Sequence, residues 1–457
     1  MNYRKRYKNQ AAEILDRKTP ELNFEGKVIF NEPTPPTPKP VNKWALYVPV
    51  FSGVAALGIV LSIVLWPKGY DAMNPPEYYM NVPYQRSAQQ TWTRGTSLDV
   101  YNQFVADYSP LVFESEEAFD ARSFSPVDAF VNVAILGYVS TGTLQSEILT
   151  ALGIDTVEQL NQVTKDVIDI LGSGAGYSLN SFWYDDGIYA LREGSDNILE
   201  VLSSHYYSNV ISRRPTTDLV NEWLDIYVPK QRFPVVPQVE LDPNGADAAI
   251  VSSYFAKSSW ASESAGDYYR EQYDSKTHKM TFHGDATEEV DYIEHGGRKI
   301  ILDYCQGIEI SLKDMNINFF LPDVENSVAG IFPSVVQGDY ETADYATGEI
   351  PYFKIDNRLG LIPSLQEYGI GSITTASAAQ GLLNSDETYV TSIEQFSTMS
   401  FDFGGLYSAS VTVTQMNETS AGDFAGYDEI IFDRPFAFTA SYHGATILVG
   451  QVYNPKY

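Results

Sequence analysis

The chain has 457 residues, 44% of them hydrophobic, and carries 59 acidic against 30 basic side chains for a formal net charge of -29. A body so acidic repels phosphate backbones, which excludes nucleic acid as a partner. Cys305 is the one cysteine, so no disulfide can close within the chain, a trait that points to a bacterial cell surface rather than a secreted eukaryotic domain.

The first 43 residues hold nine of the Lys and Arg side chains, with Arg4, Lys5, Arg6 and Lys8 at the start, and close in the proline-rich run Glu32–Pro40. Such a run favours extended polyproline backbone and builds no core. Trp44–Trp66 follows as 23 residues without a charge, flanked by Lys43 and Lys68. As a helix it would be roughly 35 Å long, enough to span a bilayer. Trp44, Tyr47 and Trp66 sit near its ends, where amphipathic rings prefer the interface. A cleaved signal peptide is the competing reading, but the run is too long, and Pro67-Lys68-Gly69 stands where small cleavage-site residues would be needed. The excess of positive charge before the span predicts a cytoplasmic tail at 1–43, a single transmembrane helix at 44–66, a stalk at 67–94 and an extracellular domain at 95–457.

From Asp99 the pattern is helical: Asp99–Tyr108, Pro126–Tyr138, Leu144–Leu152, Val157–Leu171, Asn197–Tyr207 and Thr217–Val228. Strands dominate later, at Ala248–Phe255, Lys279–Phe282, Lys299–Tyr304, Ile308–Leu312, Asn318–Leu321, Phe401–Phe403, Ser408–Gln415, Phe436–Tyr442 and Thr446–Val452. Helices first and antiparallel strands after them predict an α+β domain.

No motif announces an enzyme. The five histidines share no ligand-like spacing, no Gly-x-Ser-x-Gly elbow occurs, and Cys305 lies in no nucleophile signature. Neither a metal nor a cofactor is expected. The run Gly172–Gly176 imitates a phosphate loop but lacks the following Lys-Ser/Thr and leads from helix to strand, the reverse of dinucleotide sites. Asp242–Asp247 reads as a turn, without the acidic register of a calcium loop.

One segment stands out. After Gly404-Gly405, the residues Ser408–Gln415 are small or β-branched at nearly every position, and a polar tip follows at Asn417–Gly422. As a strand it would present Ser408, Ser410, Thr412 and Thr414 on one face and Ala409, Val411 and Val413 on the other. Taken alone, this is an ordinary hairpin strand with an exposed loop.

The flanking residues suggest more. Phe432-Asp-Arg-Pro-Phe-Ala-Phe438, followed by Gly444-Ala-Thr-Ile-Leu-Val-Gly-Gln-Val-Tyr-Asn-Pro455, resembles the C-terminal signature of serpins. Ser125-Pro126, Glu147–Gly153, Leu179–Trp183, Val220–Trp223, Tyr254–Trp260, Phe319–Asp323 and Pro351–Ile355 resemble further family motifs in the family's order. The resemblance covers roughly residues 95–457. It implies three sheets, about nine helices and an exposed reactive-centre loop. In inhibitory members a protease cleaves this bait, and the loop inserts as a new strand of the main sheet.

On that resemblance Gly404 and Gly405 lie at the hinge, Ser408, Ser410 and Thr412 in the inserting strand, and Thr419-Ser420 at the scissile bond. Counting back from Pro435 gives Phe424-Ala425 instead. Trp260 is expected at the sheet opening. Asp128, Ser252 and Gln395 take the places of the family's buried serine, asparagine and histidine. Leu406 and Tyr407 depart from the small hinge residues of inhibitors and are expected to slow insertion, with one or the other buried according to register. The implied function is a surface-tethered inhibitor of an extracellular serine protease. The alternative is a non-inhibitory binding module on the same scaffold, partnered with other surface proteins as a subunit of a larger membrane assembly.

Overall fold

The computed structural model describes residues 96–114, 121–233, 235–242, 247–260, 277–281, 287–323, 327–338, 340–402, 404–408 and 428–455, all within one compact unit. The apolar stretch 44–66, the stalk 67–94, residues 243–246, Phe282 and the loop positions Ser410, Thr412, Thr419 and Ser420 lie outside the described residues.

The helical half opens with α1 (Thr96–Glu114), a short β1 (Arg122–Phe124) and α2 (Pro126–Val139). Then come α3 (Gly142–Ala151), α4 (Val157–Leu171), β2 (Gly176–Tyr184), α5 (Asp196–Ser204), β3 (Ser208–Ser212) and α6 (Thr217–Tyr227). Two of these starts are set by threonine caps: Thr156 accepts from the Gln159 N–H at 3.1 Å and Thr216 from the Leu219 N–H at 3.3 Å. In α4 the buried stripe Leu160, Val163, Val167, Ile168 and Leu171 follows the helical period, leaving the other face to solvent. By contrast α2 is apolar and buried almost all round, because it lies inside the domain and packs against both sheets. Between α4 and β2 the glycine run makes a plain helix-to-strand connection, with Gly174 at φ +56°.

The later half supplies β4 (Ala248–Ser258), β5 (Thr277–Thr281), β6 (Thr287–Leu302), β7 (Cys305–Ser311) and β8 (Asn316–Pro322). It continues with α7 (Val328–Gln337), β9 (Glu341–Pro351), β10 (Phe353–Gly360), α8 (Ile362–Glu367), β11 (Glu394–Asp402), β12 (Gly405–Ser408), β13 (Asp428–Ile431), β14 (Phe436–Tyr442) and β15 (Ala445–Val452). One sheet has six strands in the order β10-β11-β12-β4-β2-β3, and the other has nine, β1-β15-β14-β8-β7-β6-β9-β13 with β5 on β6.

The expected α+β class holds, but three sheets become two and about nine helices become eight among the described residues. The reason lies in β6. Its first residues pair with β5, its last five with β7, and β9 follows it from Tyr292 to Ile301, so what would be two sheets share one uninterrupted strand.

The main core fills the space between the sheets, where Phe319 of one meets Phe401 of the other with ring centroids 4.9 Å apart. A second, smaller core covers the far face of the six-stranded sheet, where Leu179, Trp183, Phe255 and Tyr407 pack under Val220, Trp223 and Leu224 of α6. That sheet is therefore buried on both faces at its centre, as the burial of nearly every residue in β2 shows.

Candidate functional site

β11 turns directly into β12, with Asp402 paired to Gly405. The Asp402 carboxylate accepts the Gly404 N–H at 2.6 Å, an Asx-type turn, and Gly405 takes φ +107°. A side chain at 405 is excluded twice over, since a Cβ there would stand 2.5 Å from the Ser258 carbonyl oxygen. Gly404 belongs to the turn and Gly405 opens the strand, which sets the register.

From there β12 lies between β11 and β4. Leu406 is opposite Phe401 and Ser258, Tyr407 opposite Ser400 and Lys257, and Ser408 opposite Met399 and Ala256. The expectation that one or the other of Leu406 and Tyr407 is buried according to register is corrected here. Both are already inside the sheet: Leu406 is 1% exposed in the main core, and Tyr407 is 5% exposed under α6. Alternating side chains find an apolar layer on each face, so neither face rejects a large residue. Burial of each contributes about 1.5–3 kcal/mol to holding β12 between its neighbours. The Lys257 ammonium also sits 5.8 Å from the Tyr407 ring centroid.

Trp260 lies just beyond β4, 2% exposed, bridged to Leu312. Its ring stacks on His295 at 4.9 Å and meets Phe401 edge-on at 5.6 Å. Burial pushes the His295 imidazole below its ordinary pKa. The Ser259 carbonyl accepts the Lys313 N–H at 2.9 Å and the Ser258 hydroxyl the Asp314 N–H at 3.0 Å, tying this corner of one sheet to the other. Trp260 therefore stands just past the end of β4, packed between the two sheets.

Beyond β12, the rest of β4 and β11 pair with outer strands and not with each other among the described residues. A cavity of about 430 Å³ separates them, lined by both strands and by Asp128, Ala129 and Asn132 of α2. Asp128, Ser252 and Gln395 all line it. No hydrogen bond joins the three to one another among the described residues. Gln395 instead clamps the peptide of Ser125, its amide oxygen accepting the Ser125 N–H and its amide nitrogen donating to the Ser125 carbonyl, both at 2.8 Å. It thereby holds the start of α2, whose Ser125 side chain makes no cap bond. Asp128 Oδ1 and Ser252 Oγ are buried without a hydrogen-bond partner among the described residues. Burial raises the Asp128 carboxyl well above the ordinary range, with the Ser125 hydroxyl favouring the charged form to a lesser extent.

Sequence reasoning missed the Gln395–Ser125 clamp, because the two are 270 positions apart and neither sits in a recognisable pair. It also missed Lys257 and Ser258, whose role comes only from facing β12. Among the described residues no group of three or more His, Cys, Asp or Glu is placed to hold a metal. Cys305 is buried and its thiol is pushed up to about 12 by burial, which makes it inert as a nucleophile.

Residues 102–455 match the family described as Serpin (serine protease inhibitor). No curated protein sequence matches the chain. Among solved structures, the thermophilic serpin tengpin in its native state aligns with a TM-score of 0.65 at 16% identity, covering 82% of this chain and 97% of its own. Serpin48, a highly specific serpin of the insect Tenebrio molitor, gives 0.63 at 16%, covering 80% and 100%. Human thyroxine-binding globulin complexed with thyroxine gives 0.62 at 16%, covering 79% and 100%. At such identities the likeness establishes fold, and the family match runs over 102–455, across both sheets and the C-terminal strands. The chain is a member of the serpin family.

Proposed function

We propose that this serpin is a membrane-tethered extracellular inhibitor of a serine protease, acting by cleavage and insertion of its reactive loop. The observation that carries this reading is β12. Its four residues occupy the first positions of a central strand, between two strands that part around a cavity further down. The costly step of opening the sheet and seating the first residues has been taken before any protease arrives. After cleavage near Thr419-Ser420 the loop could lengthen β12 downward, each residue adding ladder hydrogen bonds to β4 and β11. Trapping a protease requires that this outrun hydrolysis of the acyl-enzyme, which a started strand favours.

The uncharged stretch Trp44–Trp66 supports the membrane anchor, with 1–43 in the cytoplasm, and the single cysteine supports a bacterial surface. A binding module is the second reading, favoured by the orphaned polar atoms of Asp128 and Ser252 on the cavity wall.

The test incubates the full chain in lipid nanodiscs with elastase-like and chymotrypsin-like serine proteases and resolves the products on a denaturing gel. A covalent complex that survives SDS, with the released peptide starting at Ser420, supports inhibition. Cleavage with neither a complex nor a rise in melting temperature rejects it in favour of the binding module.

A further inference from the structure

The cavity between β4 and β11 has a chemical character that loop insertion does not use. Among the described residues its charged lining residues are Asp128, Asp247, Glu387 and Glu394, with no Lys, Arg or His. Two of these acids have partners at the rim: Asp247 lies 3.4 Å from Arg214, and Glu394 lies 2.6 Å from Arg358. Asp128 is different. It sits in the first turn of α2, and its Oδ1 is buried without a hydrogen bond among the described residues, the Ser125 hydroxyl being the donor group beside the carboxyl. Two lining hydroxyls, Ser252 Oγ and Thr388 Oγ1, are buried and unpartnered in the same way. Leu136, Phe182, Leu224 and Phe255 supply apolar walls. An apolar cleft with a few orphaned polar groups, in the size range of roughly 300–1,000 Å³, is the usual make-up of a small-molecule site.

The chain's own loop does not answer this pattern. From Ser408 to Tyr427 it contains no Lys, Arg or His, and it carries two acids of its own, Glu418 and Asp423. A strand drawn from it offers hydroxyl and amide donors but no positive charge to offset that of Asp128. The complement that the wall lacks is a cation with an apolar body.

We infer that this cavity is a binding site for an amphipathic amine, its ammonium seated on Asp128 with the Ser252 hydroxyl beside it and its hydrocarbon body against the apolar walls. Burial favours the protonated acid in the free protein, and the incoming ammonium favours the carboxylate by supplying the charge that burial denies it, the acid's proton leaving to solvent. A bound amine lies where β12 would lengthen, so it opposes further strand insertion. The site stands on its lining alone and does not depend on the inhibitory reading.

Calorimetry on the full chain in nanodiscs, with empty discs as control, tests this using phenylbutylamine, phenylbutanol and phenylbutyrate, which share a body and differ in the head group. The amine is expected to bind about tenfold tighter than the alcohol, the margin of one charge-assisted hydrogen bond, and the carboxylate not to bind. Asp128→Asn should bring the amine to the alcohol's affinity and leave the alcohol unchanged. Equal binding of amine and alcohol to the unmodified chain, or no binding by any of the three, would overturn the inference without a variant having to fold. An amine preference that survives Asp128→Asn would overturn it too. None of these results bears on whether the loop traps a protease.

Discussion

Gly405 combines a left-handed φ of +107° with a Cβ position 2.5 Å from a carbonyl oxygen, so it has no tolerated substitute. Gly405→Ala is expected to cost about 1–3 kcal/mol and to displace β12. Hydrogen exchange at Leu406–Ser408 should rise, and the fraction of protease trapped should fall relative to that merely cleaving the loop. Asp128 makes a prediction about pH. It is faced by Tyr101 of α1, with Tyr254 of β4 nearby and Ser125 at the helix start. An unfolded aspartate titrates near about 3.9, and burial holds the folded one above that. The folded chain therefore keeps a proton that the unfolded chain releases. The stabilisation is complete below the unfolded value and is lost as pH rises through the raised folded one. Urea titrations across pH should show this loss, and Asp128→Asn should flatten it and raise stability at neutral pH. The glycine pair at 404 and 405 stood out in the sequence, but which of the two opens the strand was set by Asp402 accepting the Gly404 N–H and by the Asp402–Gly405 pairing. The burial of both Leu406 and Tyr407 was not readable there, because it depends on α6 covering one face and the main core the other.

At the scale of elements, α2 is held at its start by a side chain from β11, not by its own cap. Gln395→Ala would leave the Ser125 N–H and carbonyl unpaired in a buried place, at about 2–4 kcal/mol, read as a lower urea midpoint with unchanged slope. Because α2 floors the cavity, the same variant should loosen the region where β4 and β11 part. The Trp260–His295 stack sets a second pH limit, of opposite sign to that of Asp128. Burial lowers the His295 pKa, so the unfolded chain takes up a proton near about 6.5 that the folded chain refuses. Stability from this corner is present above that range and declines as pH falls through it. His295→Phe should keep the ring contact and remove the decline, measured as melting temperature between mildly acidic and neutral pH.

For the whole molecule, the proposed inhibitory reading gives the six-stranded sheet two states, since among the described residues β12 pairs over Gly405–Ser408 and the rest of β4 and β11 do not pair with each other. Lengthening that strand would convert cavity wall into packed interior and add a row of ladder bonds. A chain nicked in the loop is expected to melt at a clearly higher temperature than the intact one, by differential scanning calorimetry. Phenylbutylamine at saturating concentration should slow that gain.

The sequence by itself determined the α+β class, the positions of most helices and the family, because periodicity, capping residues and the C-terminal Phe432–Pro455 pattern are local signals. Tertiary structure decided what is contributed from far along the chain. It joined two expected sheets through the length of β6, placed Gln395 on Ser125 rather than with Asp128 and Ser252, and put both hinge side chains inside. Each outcome turns on which surfaces meet across the fold, and pairing over hundreds of residues leaves no mark on the spacing of neighbours.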